Sequence, residues 1–117
     1  VWVENEAQID TVTAISGSGP AYVFLFIEAL EDAARQLGLD AGTARALALQ
    51  TVYGASALAV QDGSEPAVLR ARVTSKGGTT ERGVAELEAH QVRAASLAAA
   101  RAAQDRAREL GDILGAD

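Results

Sequence analysis

Residues 41–61 constrain this chain more than any other stretch. Leu47, Leu49, Val52, Tyr53, Leu58 and Val60 recur there at spacings that point several ways around a helix, with few charges between them. A helix that is apolar on every side must be buried on every side. The chain has only 117 residues, too few helices to cover that surface from within. The expected solution is a second copy, in a C2 dimer with interlocked helices. Asp40 stands where its carboxylate can cap the helix, which is predicted to reach Gln61.

The remaining elements also read as helices. No segment alternates apolar and polar residues with period two, so no strand is predicted. Residues 4–15 read as a first helix, with Ala7, Val12 and Ile15 among its apolar positions. Gly17-Ser18-Gly19-Pro20 is expected to interrupt it, with Pro20 opening the next helix and Ser18 or Gly19 at its cap. That second helix runs to Leu37 and stops at Gly38. Its first half, Tyr22 to Ile27, is apolar on all sides, while Glu28, Glu31, Asp32 and Arg35 share one solvated face. Tyr22 and Tyr53 read as core or interface residues. Residues 62–66 form a turn, and a short helix follows from Pro66 to Val73. A Gly-Gly loop then leads to a helix from Glu81 to Glu88. The last helix, Gln91 to Leu114, is alanine-rich, with Arg101–Asp105 and Arg108–Asp112 spaced for ion pairs worth about 0.2–0.5 kcal/mol each. With only 4 % aromatics and alanine the commonest residue, helices can approach closely. The fold class is all-α, a bundle of about five to six helices, with residues 1–117 forming one helical domain.

Several functions are excluded or disfavoured. A net charge of −6 argues against a nucleic-acid partner. The absence of cysteine removes disulfides, thiolate nucleophiles and Cys-ligated metals, and suits the cytoplasm. His90 is the lone histidine, with no second ligand at metal spacing, so no metal site is expected. It has no G-x-S-x-G elbow to serve as a hydrolase histidine either. Gly17-Ser18-Gly19 is not a dinucleotide fingerprint: no strand precedes it, the pattern fails at Tyr22, and Pro20 has no N–H. The apolar run Ala21–Ile27 ends at Glu28, too short to span a bilayer, and no signal peptide is visible, so no membrane partner is expected. The chain contains no methionine and opens on Val1-Trp2-Val3, so a piece of a longer protein is expected.

The segment best suited to bind a ligand is Val73-Thr74-Ser75-Lys76-Gly77-Gly78-Thr79-Thr80. Adjacent glycines permit a tight turn, and Thr79 or Thr80 can cap the following helix. A Gly-rich turn feeding a helix N-terminus directs several backbone N–H groups at one spot and favours an anion there. A small carboxylate or phosphate is the expected ligand class; a simple capped connection is the alternative reading of the same residues.

Two blocks resemble the C-terminal domain of the pyrroline-5-carboxylate reductase family. The first is Asp10 to Tyr22, similar to the family's Thr-x-x-Ser-Gly-Ser-Gly-Pro-Ala-Tyr segment. The second runs from Pro66 to Glu88, where Pro66, Leu69, Val73, Thr74, Ser75, Gly77, Gly78, Thr80, Gly83, Val84, Leu87 and Glu88 fall at the family's positions. The resemblance implies the last step of proline synthesis, reduction of pyrroline-5-carboxylate to proline by NADPH or NADH. It implies an all-helical domain like the C-terminal domain of 6-phosphogluconate dehydrogenase, interleaved as a homodimer and in many members assembled into rings of dimers. NADP or NAD would be bound mainly by an N-terminal Rossmann domain outside these residues, so the segment alone would be inactive. The resemblance also implies site roles. Gly78, Thr79 and Thr80 would hold the substrate carboxylate through backbone N–H groups, with Ser75 helping through its hydroxyl and Val73 and Gly77 lining the site. The Thr80 hydroxyl would hydrogen-bond the imine nitrogen, as the catalytic contact.

Two departures stand out. Lys76 replaces the family's usual proline, which loosens the loop and adds a cation. His90-Gln91 replaces a Gly-rich turn before the last helix. Two other readings stand beside the reductase. One is a related imine or keto-acid reductase with the same bundle, and the other is a non-catalytic helical dimerisation module.

Overall fold

The computed structural model describes residues 5–115. Among them are six α-helices and no strand: α1 (Glu6–Val12), α2 (Gly19–Gln36), α3 (Ala41–Asp62), α4 (Pro66–Arg72), α5 (Thr79–Ala89) and α6 (Val92–Gly115), with a π-helical turn at Thr13–Gly17. The all-α expectation holds. The expected start of the first helix at Glu4, and the Val1–Val3 opening, lie outside the described residues.

The helix starts and stops follow from local chemistry. Asn5 caps α1 by accepting from the Gln8 N–H at 3.0 Å. Asp40 caps α3, taking the Thr43 N–H at 3.0 Å and the Thr43 hydroxyl at 2.9 Å. Those bonds, the Thr43 N–H first, hold its carboxyl below the ordinary value of 3.8. α2 ends in a Schellman arrangement: Gly38 has φ 108°, its N–H donates to Arg35 O, and the Leu39 N–H donates to Ala34 O. Gly63, at φ 77°, ends α3.

One expectation is met only in part. Ser18 lies outside the helices, at the position before α2, but Gly17-Ser18-Gly19-Pro20 makes no loop. α1 passes into the π-turn, where the Ser18 N–H reaches back five residues to Thr13 O at 2.9 Å. α2 starts at Gly19, so Pro20 is its second residue rather than its first. A proline ring clashes with the carbonyl four residues back and offers no N–H to it. The wider π-turn lies just where that conflict falls, and the chain turns on without a loop. Residues Ala7–Gln36 therefore form a 30-residue helical stretch, long and apolar enough by length and composition to cross a bilayer. The short apolar run seen in the sequence concealed this length.

The chain divides into two compact units. One gathers the described residues up to Tyr22 with those from Leu87 onward; the other is Val23–Glu86. In the first, α1 and the π-turn lie against α6. Ala14 is buried there, and Gln104 donates to the Thr11 hydroxyl at 2.7 Å. The ion pair on α6 is Arg106–Glu109 at 2.8 Å; neither Arg101–Asp105 nor Arg108–Asp112 closes among the described residues. Arg placed before an acid at i,i+4 is the weaker orientation, and aspartate is short.

In the second unit, the end of the first helical half, α2, is tied to α3 by Arg45–Glu31 at 3.2 Å, and Ala44 and Ala48 are buried. α3 has no apolar face; its large side chains point outward all round. Tyr53 is 72 % exposed and Val60 83 % exposed. An apolar groove of about 390 Å³ runs between α3 and α4, lined by Ala55, Leu58, Pro66, Leu69 and Val73. Every buried hydrophobic residue among those described is an alanine. The large apolar side chains of α3 are thus uncovered within the single chain, as its sequence leads one to expect.

Candidate functional site

The loop from Val73 to Thr80 is set from both ends. Before it, α4 is fixed to the end of α3. Arg72 donates to the Asp62 carboxylate at 3.2 Å and to the Ser64 hydroxyl at 3.4 Å, and Ser64 itself hydrogen-bonds Asp62 through hydroxyl and N–H. The Ser64 hydroxyl foremost, with lesser help from its N–H and from Arg72, holds the Asp62 carboxyl below its ordinary value. α4 then stops as the Val73 N–H turns back to Arg70 O, and the Thr74 hydroxyl takes the same carbonyl.

Ser75 to Gly78 form a β-turn. The Gly78 N–H donates to Ser75 O at 3.1 Å, and Gly77 has φ 76°. A positive φ at the third residue, closed by that bond, is the type II pattern, which favours glycine there and proline at the second position. Lys76 occupies that second position, exposed and without an ion pair among the described residues. Gly78 is glycine for a different reason. A Cβ there would stand 2.5 Å from Ser75 Oγ and 3.2 Å from Ser75 O.

α5 begins at Thr79, two residues earlier than expected. Thr79 and Thr80 are therefore its first two residues and not its cap; Gly78 occupies the cap position. The turn delivers the chain straight into helical geometry, so no threonine is needed for capping. The first N–H groups of a helix have no intrahelical acceptor. The Thr79 and Thr80 N–H groups are thus donors at the positive end of α5. The Gly77 N–H donates to Glu81 Oε1 at 3.1 Å. Glu81 is the third helical residue, and its return to the preceding backbone resembles half of a capping box. The sequence reading missed this contact. The Gly78-x-x-Glu81 spacing was the available signal.

The structure thus brings Ser75, Gly77, Gly78, Thr79 and Thr80 into one turn and helix start, with the Val73 side chain, 63 % exposed, just ahead of them. His90 lies away from this turn in sequence, at the α5–α6 junction, and is exposed. Next to it Gln91 adopts φ 65°, the left-handed conformation that glycine takes most easily. Among the described residues no three His, Asp or Glu cluster in a way that could hold a metal ion. No strand-to-helix glycine turn is present among them to hold a dinucleotide pyrophosphate.

A family model described as pyrroline-5-carboxylate reductase dimerisation matches residues 6–110. The chain belongs to this family. A pyrroline-5-carboxylate reductase of Pseudomonas aeruginosa is 49 % identical over 115 residues, covering 98 % of this chain and 42 % of the relative. One from Arabidopsis thaliana is 50 % identical over 106 residues, covering 91 % and 38 %. Solved structures agree. A Coxiella burnetii pyrroline-5-carboxylate reductase superposes with a TM-score of 0.91 at 48 % identity, over 94 % of this chain and 41 % of that one. A Plasmodium falciparum pyrroline carboxylate reductase, solved with NADP bound, gives 0.87 at 35 % identity, over 92 % and 41 %. The chain therefore spans about two fifths of these reductases, over the part that carries the dimerisation family, and self-association follows from that membership.

Proposed function

We propose that this chain is the dimerisation and substrate-carboxylate domain of an enzyme that reduces 1-pyrroline-5-carboxylate to L-proline. The family match over residues 6–110, together with relatives that carry this activity in their names, is the observation that carries the reading. The chain acts as a homodimer, with the exposed faces of α2 and α3 and the α3–α4 groove interleaved against a second copy. This accounts for the length and apolarity of the Ala7–Gln36 stretch without a bilayer, and it suits a cytoplasmic enzyme.

The substrate carboxylate sits at the start of α5. The Thr79 and Thr80 N–H groups and the helix dipole stabilise its charge. Ser75 and the turn glycines shape the floor, and Val73 offers an apolar wall to the ring. The Thr80 hydroxyl, which makes no hydrogen bond among the described residues, meets the imine nitrogen. A nicotinamide cofactor held outside these residues supplies the hydride. The chain's own contribution is orientation and charge placement, which convert binding into a favourable attack geometry.

The test is NAD(P)H oxidation by the full-length protein with pyrroline-5-carboxylate. Turnover that yields proline is the expected result. A folded, cofactor-binding protein that leaves this imine untouched would defeat the reading and favour a different imine or a non-catalytic paralogue.

A further inference from the structure

We infer that Arg72 is a positioning residue for the reaction: by holding the Asp62 carboxylate and the Ser64 hydroxyl together, it fixes how α4 presents the Val73–Thr80 loop. This rests on the substrate reading above. The guanidinium donates through Nη1 to Asp62 Oδ2 at 3.2 Å and through Nη2 to Ser64 Oγ at 3.4 Å. Asp62 is the last residue of α3 and Arg72 the last of α4, so the fork joins two helix ends and closes the segment between them into a ring. An aspartate at a helix C-terminus meets the negative end of the helix dipole. α3 has no basic residue in its own last turn to offset it. The offsetting cation comes from α4.

The fork matters because little else in the chain holds α4. The side chain at its cap position, Glu65, makes no capping hydrogen bond. The apolar groove of about 390 Å³ keeps α4 from closing on α3 along its length, with Leu58 on one side and Leu69 on the other. Beyond Arg72 the chain has no slack. The Val73 N–H donates to Arg70 O at 3.3 Å, the Thr74 N–H donates to Ala71 O at 3.2 Å, and the Thr74 hydroxyl donates to Arg70 O. The next residue, Ser75, already accepts the Gly78 N–H. A tilt of α4 is therefore carried through these bonds to the turn as one piece. Small misplacements of groups that hold a substrate cost binding and rate. The ion pair is partly exposed, at 55 % for Arg72 and 29 % for Asp62, so its effect is modest and salt-sensitive.

The experiment uses the full-length protein and compares wild type with Arg72→Ala, Asp62→Ala, the double variant and Arg72→Lys. The readouts are kcat, KM for pyrroline-5-carboxylate, KM for the cofactor, and Tm. In each alanine variant the KM for pyrroline-5-carboxylate should rise about two- to fivefold, with a smaller change in kcat and the cofactor KM unmoved. The double variant should match the single ones, because both remove the same contact. Arg72→Lys should recover part of the loss, since an ammonium meets Asp62 but cannot fork to Ser64. High salt should bring wild type towards the variants. A merely structural role would lower Tm and leave KM where it was. Wild-type turnover with an unchanged KM in the single variants, or with KM increases that multiply in the double variant, overturns this inference alone. Absence of wild-type turnover overturns the substrate reading and the inference with it.

Discussion

The N-termini of α3 and α5 solve the same problem in opposite ways. At α3 the cap is Asp40, whose carboxylate takes both the N–H and the hydroxyl of Thr43. That terminus supplies its own anion and is closed. At α5 the cap position is Gly78, which has no side chain to offer, and the carboxylate of Glu81 turns back to Gly77. The Thr79 and Thr80 donors stay open. A helix start capped by its own aspartate has its first donors engaged, and one that begins on glycine keeps them open, which is where the proposed reading seats the substrate carboxylate.

The largest test of this contrast is Thr80→Ala in the full-length enzyme. On the proposed reading the Thr80 hydroxyl meets the imine nitrogen, so its loss should lower kcat/KM about 100-fold, measured by steady-state kinetics. Dimer content, followed by sedimentation, should stay as it is. Next comes Gly78→Ala. Its Cβ would fall 2.5 Å from Ser75 Oγ and 3.2 Å from Ser75 O, so the hydroxyl must swing away and the turn must give by a few tenths of an ångström. Urea titration should show a loss of about 1–3 kcal/mol, accompanied by a rise in KM.

At the closed end, Asp40→Ala should lower Tm by a few degrees with KM unaltered. The Asp40 carboxyl is depressed in the folded state, chiefly by the Thr43 N–H, so its contribution is complete above the ordinary value of 3.8. That contribution disappears as pH falls through the lower folded value. The Tm difference between wild type and Asp40→Ala should therefore narrow in acid, and a constant difference down to the lowest pH would contradict this account. The smallest effect belongs to Lys76→Pro. Proline suits the second position of the Ser75–Gly78 turn and should add about 0.4–1 kcal/mol of stability by restricting the unfolded chain. No gain in Tm would mean that the backbone at Lys76 does not match the type II geometry.

Much of this was legible in the sequence. Asp40 and Gly38 announced a cap and a stop, and both act as such. The all-round apolarity of α3 foretold how much apolar surface the single chain leaves exposed. The family blocks located the loop. What escaped was register. The start of α5 moved from Glu81 to Thr79 because a turn closed by Gly78 needs no separate cap, and propensities do not count hydrogen bonds across a turn. The π-turn escaped for a related reason. A shift of one residue in bonding, from four back to five, leaves the hydrophobic pattern nearly unaltered and shows in bonds such as that from Ser18 to Thr13. Gln91 at φ 65° lay beyond composition-based reasoning, because nothing about glutamine itself signals a left-handed residue. The ion pair on α6 came from Arg106 and Glu109 because side-chain length and direction decide among candidates that spacing alone ranks equally.

Among the described residues the buried apolar side chains are all alanine, which leaves a lone protomer little to hold it together. On the proposed homodimer reading, folding and assembly would then be a single second-order event. The population of native molecules follows mass action and depends on how much of the chain is present. Dilution acts as a denaturant, and a thermal midpoint has meaning only with its concentration attached.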